Sequence, residues 1–276
     1  MDYTEVRFYN NASLNEVIIA WLGESDYDMF EERTDGLNAY IKADKFNELS
    51  LNELLLSIPD SKENIRYETS FIKDQNWNKK WESNFDPVLI AGRVFIRAPF
   101  HNSGSEFQYE IIIEPKMSFG TGHHATTALM IELLLDADVK GKEVLDMGCG
   151  TGVLAILADK LGAKKITAID IEEWAYENCI ENCEKNDAGK VSVHYGNAGL
   201  IIEKKFNVIL ANINRNILLS DIPTYSKSLD DNGDLFVSGI LKEDKEVISL
   251  CALQSGLNYI TEASHDNWLA IHFKKN

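Results

Sequence analysis

A glycine-rich turn is the part of this 276-residue chain whose residue types and spacing point most directly to chemistry. It reads Asp146-Met147-Gly148-Cys149-Gly150-Thr151-Gly152 and follows the apolar pair Val144-Leu145. Glycines let the backbone bend sharply and approach a ligand without a Cβ atom in the way. Ligands of open α/β sheets bind beyond the carboxyl ends of the strands. A turn of this kind between a strand and a helix therefore predicts a ligand site.

The spacing within the turn distinguishes between two nucleoside cofactors. A dinucleotide fingerprint, G-x-G-x-x-G, would need its third glycine at position 153, which is Val153. Asp170 ends the next predicted strand, where a carboxylate can accept hydrogen bonds from ribose hydroxyls, and Ile171 beside it could press on an adenine face. Asp170 could instead be the N-cap of the helix near Glu173, but it lies slightly early in the sequence for that role. The turn and Asp170 together predict S-adenosylmethionine rather than a nicotinamide dinucleotide.

A third segment makes a family resemblance specific. Phe119-Gly120-Thr121-Gly122-His123-His124-Ala125-Thr126-Thr127, taken with the glycine turn and Ala211-Asn212-Ile213, resembles the ribosomal protein L11 methyltransferase family. The resemblance covers most of the chain, including a segment with Trp77 and Trp81 and a terminal strand carrying Trp268. Two positions depart from the family pattern. Ala125 stands where proline is usual, and residues 213–217 are less apolar than in the family.

This resemblance implies an activity, a cofactor and a set of contacts. The activity is that of an S-adenosylmethionine-dependent protein-lysine N-methyltransferase, acting on lysine ε-amines and the N-terminal α-amine of ribosomal protein L11. The cofactor-contacting positions that it implies are Thr127, Gly148, Asp170 and Asn212, with Phe119 and Thr121 in the loop that closes over the methionine end. The glycine turn adds Gly150 and Gly152 as expected cofactor-binding positions.

Asn212 is the candidate catalytic residue. Methyl transfer from a sulfonium is an in-line displacement, so the protein must align the acceptor with the methyl carbon and sulfur. An amine attacks only when neutral, and burial beside a cationic sulfonium favours loss of its proton. The side chain of Asn212, or an adjacent backbone carbonyl, can accept amine N–H bonds and aim the lone pair. The alternative for Asn212 is an ordinary turn residue at a strand end.

Two other functions stay open from the residues alone. A methyltransferase of the same fold could act on another protein or on a small amine, because substrate choice depends on loops and on the smaller domain. A non-catalytic S-adenosylmethionine-binding protein would also keep the glycine turn. Intact Asp170 and Asn212, together with residues 119–127, weigh against that second alternative.

Histidines and cysteines are not expected to bind a metal. His123 and His124 are adjacent and cannot share one helix face, and no third ligand follows at a metal-like spacing. Cys179 and Cys183, four residues apart on a predicted helix, are expected to pack. A general-base role for His124 competes with a hydrogen bond that would order its loop.

The chain is strongly acidic, with 44 Asp and Glu residues against 27 Lys and Arg and a formal net charge of −17. Nucleic-acid binding that does not depend on sequence needs a basic surface, so we expect no direct contact with nucleic acid. No apolar run approaches the roughly 18 residues of a membrane span, and the first ten residues do not resemble a signal peptide. We expect a cytoplasmic monomer with no membrane partner.

Apolar spacing divides the chain into three parts. Residues 1–70 follow a β-α-β-β-α-β pattern, which predicts a small ferredoxin-like α+β domain. They carry 15 acidic and 6 basic side chains, so we expect either a well-solvated surface or a substrate-recognition domain that steers a basic partner. Residues 71–105 are expected to form a connector.

The third part, residues 106–276, alternates strands with helices near 124–136, 153–161, 173–186 and 242–255. This alternation predicts an α/β class, with a seven-stranded, mostly parallel sheet of the class I methyltransferase type. The last two strands have no helix between them and should form an antiparallel hairpin at one edge.

Overall fold

The computed structural model describes residues 2–9, 14–15, 18–19, 22, 25–33, 35–57, 65–72, 86–104, 106–115 and 120–276. Contacts divide the chain into two compact units, Met1–Asn84 and Phe85–Asn276. Three aromatic residues named above, Trp77, Trp81 and Phe119, lie outside the described residues. In the described part of the chain, no helix is both long enough and apolar enough to cross a membrane.

The first unit contains a four-stranded antiparallel sheet in the order β2-β3-β1-β4. Its elements are β1 (Tyr3–Tyr9), β2 (Tyr27–Arg33), β3 (Gly36–Lys42), α1 (Glu48–Ser57) and β4 (Arg66–Ile72). Between β1 and β2, Asn15, Ile18, Ile19 and Leu22 are helical. Alternation along β1 buries Val6 and Phe8 against Ile18 and Leu22 in one core, which is the arrangement expected of a ferredoxin-like sheet.

A small three-stranded sheet opens the second unit. It contains β5 (Val88–Ile90), β6 (Val94–Arg97) and β7 (Tyr109–Ile112). This differs from the connector expected over residues 71–105. Ala91 and Gly92 both have positive φ angles, 50° and 64°, in the three-residue turn between the paired residues Ile90 and Val94, so the short apolar runs on either side pair with each other. β6 then pairs in parallel with β7.

The main sheet of the second unit has seven strands in the order β10-β9-β8-β11-β12-β14-β13. Its strands are β8 (Glu143–Met147), β9 (Lys165–Asp170), β10 (Val191–Tyr195), β11 (Phe206–Asn212), β12 (Leu229–Leu241), β13 (Leu257–His265) and β14 (Trp268–Lys275). The first five strands in this spatial order are mutually parallel, and β14 runs antiparallel to both of its neighbours. The predicted fold class, including the terminal hairpin, is confirmed.

Helices cover both faces of this sheet. They are α2 (Ala125–Leu135), α3 (Val153–Lys160), α4 (Glu173–Lys185), α5 (Arg215–Ser228) and α6 (Lys245–Gln254). Successive residues of β8 enter different cores, because Val144 packs on one face of the sheet and Leu145 on the other. The helix α5 was not predicted, since Pro223 lies inside it and is typical of helix breaks.

Candidate functional site

A cavity of about 440 Å³ opens at the carboxyl edge of the main sheet. Part of its lining comes from residues at or just beyond the carboxyl ends of the five parallel strands, namely Gly148 and Gly150, Asp170 and Ile171, Gly196–Ala198, Asn212–Asn214, and Gly239. Its remaining walls include His124 and Thr126 at the start of α2, and Trp268 at the start of β14. The cavity therefore lies where ligands of open α/β sheets bind.

Gly148 is the position in the glycine turn where a side chain would fit least. Its φ angle is +70°, and a Cβ atom built there would lie 2.2 Å from Cγ2 of Ile213. The amide of Gly148 donates to the carbonyl of Ile169 at 2.8 Å, which holds the turn between β8 and β9. Gly150 also has a positive φ angle, 53°, and lines the cavity. Both residues keep the backbone close to the space that a ligand would occupy.

Asp170 points its carboxylate toward the glycine turn. One oxygen accepts from the amide of Gly150 at 2.8 Å, and the other accepts from the amide of Glu172 at 3.0 Å. An ionised carboxylate has about four acceptor sites, so each oxygen can still accept a hydrogen bond from a ligand. The N-cap of α4 is Glu172, which removes the alternative that Asp170 serves as that cap. The next residue, Ile171, is 58% exposed and lines the cavity.

Two buried oxygens near the cavity lack hydrogen-bond partners among the described residues. They are Oδ1 of Asn212, which lines the cavity, and Oγ1 of Thr127, which follows the cavity residue Thr126. Leaving a buried polar atom unpaired costs free energy, so native structures seldom do so without a ligand or water. These orphaned acceptors and the glycine crevice fit a nucleoside cofactor that carries hydroxyl and amino donors.

The remaining predicted positions have other surroundings. Thr121 does not line the cavity, and its Oγ1 lies 3.1 Å from Nδ1 of His123, whose Nε2 is 2.9 Å from the carbonyl of Asp86. Gly152 also lies outside the lining. It precedes α3 with a φ angle of +80°, and a Cβ atom there would meet Sγ of Cys179 at 2.6 Å. Gly152 therefore permits close packing under the turn.

His124 serves as the N-cap of α2. Its Nδ1 accepts from the amide of Thr126 at 3.3 Å and lies 2.8 Å from that residue's Oγ1. The imidazole also packs edge-on against Trp268, with the ring centroids 4.7 Å apart. These contacts agree with the loop-ordering use of His124 and occupy the ring nitrogen nearest the helix.

Asp146 anchors α3 beneath the turn. Its Oδ2 accepts from the amide of Ala155 at 3.0 Å, and its side chain is fully buried. Burial raises the pKa of this carboxyl from its ordinary 3.8 to about 7, and the nearby charge of Asp170 adds to the increase. Cys179 and Cys183 are buried free thiols. Across the described ranges, no group of three or more His, Cys, Asp or Glu side chains could hold a metal ion.

Several cavity residues were missed by sequence reasoning. They include Trp174, Gly196, Asn197, Ala198, Asp221 and Gly239. A signal existed for Asn197, because it closely follows β10, whose carboxyl end meets the same sheet edge as Asp170. Gly239 had none, since its role is to approach Ile213, whose carbonyl oxygen would lie 2.3 Å from an added Cβ.

The sequence and the fold of this chain are similar to those of known proteins. Residues 10–276 match the family described as ribosomal protein L11 methyltransferase. A protein of that name from Phocaeicola vulgatus is 41% identical over 99% of both chains. Another from Porphyromonas gingivalis is 42% identical, over 94% of this chain and 90% of its own. A crystal structure of a ribosomal protein L11 methylase from Lactobacillus delbrueckii subsp. bulgaricus is 27% identical and covers 70% of this chain and 100% of its own, with a TM-score of 0.65.

Proposed function

The chain belongs to the ribosomal protein L11 methyltransferase family, and from this membership we propose that it transfers methyl groups from S-adenosylmethionine to amino groups of ribosomal protein L11. The acceptors are lysine ε-amines and the N-terminal α-amine. The observation that carries the proposal is the cavity at the carboxyl edge of the sheet, which is lined by both Asp170 and Asn212, the latter with an Oδ1 that has no partner among the described residues.

The cofactor would supply an electrophilic methyl group on a sulfonium, and the protein positions the cofactor and the acceptor amine. Asp170, held by two backbone amides, presents acceptors to the ribose hydroxyls. Gly148 and Gly150 let the backbone approach the cofactor. Thr127, in the first turn of α2, offers a hydroxyl oxygen that has no hydrogen-bond partner among the described residues. The family pattern further assigns Thr121 and Phe119 to the methionine end of the cofactor.

Asn212 orients the acceptor. Its Oδ1 is buried and unpaired among the described residues, so it can accept an N–H bond from an incoming amine and direct the nitrogen lone pair at the methyl carbon. A lysine amine, with an ordinary pKa near 10.4, must lose a proton before it attacks. The apolar cavity wall and the cationic sulfonium both disfavour the ammonium form, and water carries the proton away.

The segment after Asn212 favours an aliphatic amine over a planar nitrogen. Methyltransferases acting on planar nitrogens often carry a proline pair and an aromatic residue here, whereas this chain has Ile213-Asn214-Arg215. Asn214 caps α5 by accepting from the amide of Ile217 at 3.1 Å, so the chain turns directly into a helix. Residues 213–215 therefore supply no aromatic side chain that could stack on a planar acceptor.

The acidic first unit holds the protein substrate. Ribosomal proteins are typically basic, and residues 1–70 carry a net charge of −9. We therefore assign this unit to substrate recognition and the second unit to catalysis. We further propose that the enzyme acts in the cytoplasm, where a ribosomal-protein substrate would be met, that it is a monomer, and that it makes no direct contact with nucleic acid.

The test is a mass measurement. The protein is incubated with S-adenosylmethionine and purified ribosomal protein L11, and the intact mass of L11 is recorded over time. Successive increases of one methyl group, located on lysine and the N-terminal residue by peptide sequencing, are expected. An unchanged L11 mass while the cofactor binds would contradict the proposal and favour a non-catalytic binding protein. Methylation of unrelated basic proteins at the same rate would contradict the substrate assignment.

A further inference from the structure

A second carboxylate, that of Asp221, lines the cavity together with Asp170, and the chemistry proposed above does not use it. Asp221 lies on α5. Its Oδ2 accepts from the hydroxyl of Tyr225 at 3.3 Å, and its Oδ1 has no partner within the described part of the chain. Tyr225 is fully buried, which raises the pKa of its hydroxyl and keeps it a donor to Asp221. Asp221 is therefore held in place with one acceptor free.

The sheet order gives the direction of a nucleoside cofactor in the cavity. Across the sheet, Asn212 ends β11, Gly148 follows β8, Asp170 ends β9 and Asn197 closely follows β10, and these four strands are consecutive neighbours. If the reacting end lies at Asn212 and the ribose at Asp170, the nucleobase must extend further, toward Asn197. The lining there also includes the exposed apolar side chains of Ile171 and Trp174.

Asp221 lies at this nucleobase end. Asp221, Tyr225 and Ser228 are spaced by four and three residues, so they share one face of α5. Ser228 donates its hydroxyl to the carbonyl of Ile201 at 2.9 Å, so this face is turned toward the short 3-10 helix Ala198–Ile201, which follows β10. The free oxygen of Asp221 therefore shares the end of the cavity lined by Asn197 and Ala198.

A second acceptor at this end of the cavity, Oδ1 of Asn197, already makes one hydrogen bond. It accepts from the amide of Gly199 at 2.9 Å and caps the 3-10 helix, which uses one of its two acceptor positions. Oδ1 of Asp221 accepts no hydrogen bond within the described residues, so it is the carboxylate acceptor that an exocyclic amine on the base would find without a partner. A base with an oxo group in that place would bring two acceptors together, which a site built for a donor rejects strongly.

We propose that Asp221, oriented by Tyr225, determines the base specificity of the cofactor site by accepting a hydrogen bond from the exocyclic amine of adenine. This inference depends on the proposed function, because it assumes that S-adenosylmethionine occupies the cavity. It assigns a cofactor contact to a residue other than Asp170, Asn212 and those of the glycine turn.

Calorimetry measures the affinities of two ligands whose sulfur is an uncharged thioether, S-adenosylhomocysteine and its inosine analogue S-inosylhomocysteine. The wild-type protein should bind the adenine ligand at least about tenfold more tightly, since hydrogen bonds to charged groups contribute on that scale. In Asp221→Asn the amide can donate to an oxo group as well as accept from an amine, so the preference should fall to about twofold or reverse. The control Glu173→Gln removes one charge at the start of α4, outside the cavity lining, and should keep the wild-type ratio.

Three results would overturn the inference. The first is that the wild-type protein binds both ligands with affinities within about twofold of each other. This measurement does not depend on the folding of any variant. The second is a preference in Asp221→Asn equal to that of the wild type, with folding checked by circular dichroism. The third is a complete lack of binding of S-adenosylhomocysteine, which would contradict the proposed function itself. Either of the first two results, with adenine-ligand binding intact, would leave the proposed function standing.

Discussion

Of the side chains in and beneath the cavity, some stabilise the fold, some have atoms available to a ligand, and one has both functions. Asp170 does both, because its two oxygens already bind backbone amides and can still accept hydrogen bonds from hydroxyls. Asn212 and Thr127 have buried oxygens without hydrogen-bond partners among the described residues, at a cost in stability that a bound ligand would remove. Asp146 is entirely structural, and its buried carboxyl supports the first turn of α3.

Asp170→Asn should weaken cofactor binding. The substitution removes the charge and one of the two oxygens that order the turn, so the dissociation constant for S-adenosylhomocysteine should rise about tenfold to a hundredfold. Isothermal titration calorimetry measures this directly. The matched control is Glu172→Gln, since the neighbouring Glu172 side chain is exposed and caps α4 without a side-chain hydrogen bond. Equal affinities for the wild type and Asp170→Asn would remove Asp170 from the ribose site.

Asn212→Ala should affect the reaction more than cofactor binding. Loss of the acceptor that aims the amine is expected to lower kcat for L11 methylation by about tenfold or more, whereas affinity for S-adenosylhomocysteine should change less. Asn212→Asp, which keeps an acceptor oxygen, should retain more activity than Asn212→Ala. A kcat that does not change in Asn212→Ala would show that the residue only ends a strand.

Asp146→Asn should alter the pH dependence of stability. The folded-state pKa of Asp146 is raised to about 7, so its protonated form stabilises the fold at low pH, and this contribution is lost as pH rises through about 7. Asparagine cannot ionise, yet it can still accept from Ala155. Relative to the wild type, the variant should gain free energy of unfolding on the order of 2 kcal/mol between about pH 5 and pH 8. Urea unfolding at both pH values measures the difference, and parallel curves would contradict it.

Regular elements of the second unit were predictable because strand and helix periodicities alternate clearly there. Strands such as β8 and β9 are short apolar runs, and the missing helix before Trp268 predicted the terminal hairpin. Two elements escaped prediction for physical reasons. The helix α5 contains Pro223, and its stability comes from packing and from the Asn214 cap rather than from local propensity. The β5–β6 hairpin depends on positive φ angles at Ala91 and Gly92.

Site residues were predictable only where the local amino-acid sequence itself indicates them. Glycines and acidic residues at strand ends, such as Gly148 and Asp170, follow from the rule that ligands bind at the carboxyl edge. Trp174 and Asp221 lie inside or at the start of helices, and their place in the cavity depends on how those helices pack. No spacing rule could have joined Asp221 to the end of β10, since Ser228 and Ile201 make that connection in space.

Gly148→Ala should disrupt the contact between the two loops that follow β8 and β11. The new Cβ would lie 2.2 Å from the side chain of Ile213, in a backbone conformation with φ of +70°. Gly141→Ala is the matched control, because its φ is +75° but no atom lies within 4 Å of its added Cβ. Both variants should lose about 1 kcal/mol to backbone strain, and only Gly148→Ala should also lose cofactor affinity. Thermal unfolding and calorimetry separate the two effects.

Across the whole molecule, negative charge is concentrated near the N-terminus. Residues 1–70 carry a net charge of −9 out of −17 for the full chain. By contrast, every described residue that lines the cavity belongs to the second unit. Substrate attraction and methyl transfer are therefore assigned to different parts of the chain, and salt should affect them differently.

Raising the salt concentration should weaken substrate binding and leave cofactor binding nearly unchanged. Screening reduces attraction between exposed charges, so KM for ribosomal protein L11 should rise severalfold between about 0.05 M and 0.5 M salt. The dissociation constant for S-adenosylhomocysteine, measured in the same buffers, is the internal control. A KM for L11 that does not depend on salt would contradict electrostatic recognition by the first unit, as would unchanged substrate affinity at low salt after deletion of residues 1–70.

The cavity takes wall residues from segments as far apart in the chain as His124 and Trp268, and the last of them begins β14. In the finished sheet β14 lies between β12 and β13, so the final segment is inserted between two strands that are synthesised earlier. The wall formed by Trp268 is therefore in place only after β14 has been synthesised and has inserted between those two strands, so a complete pocket depends on correct assembly of this edge of the sheet.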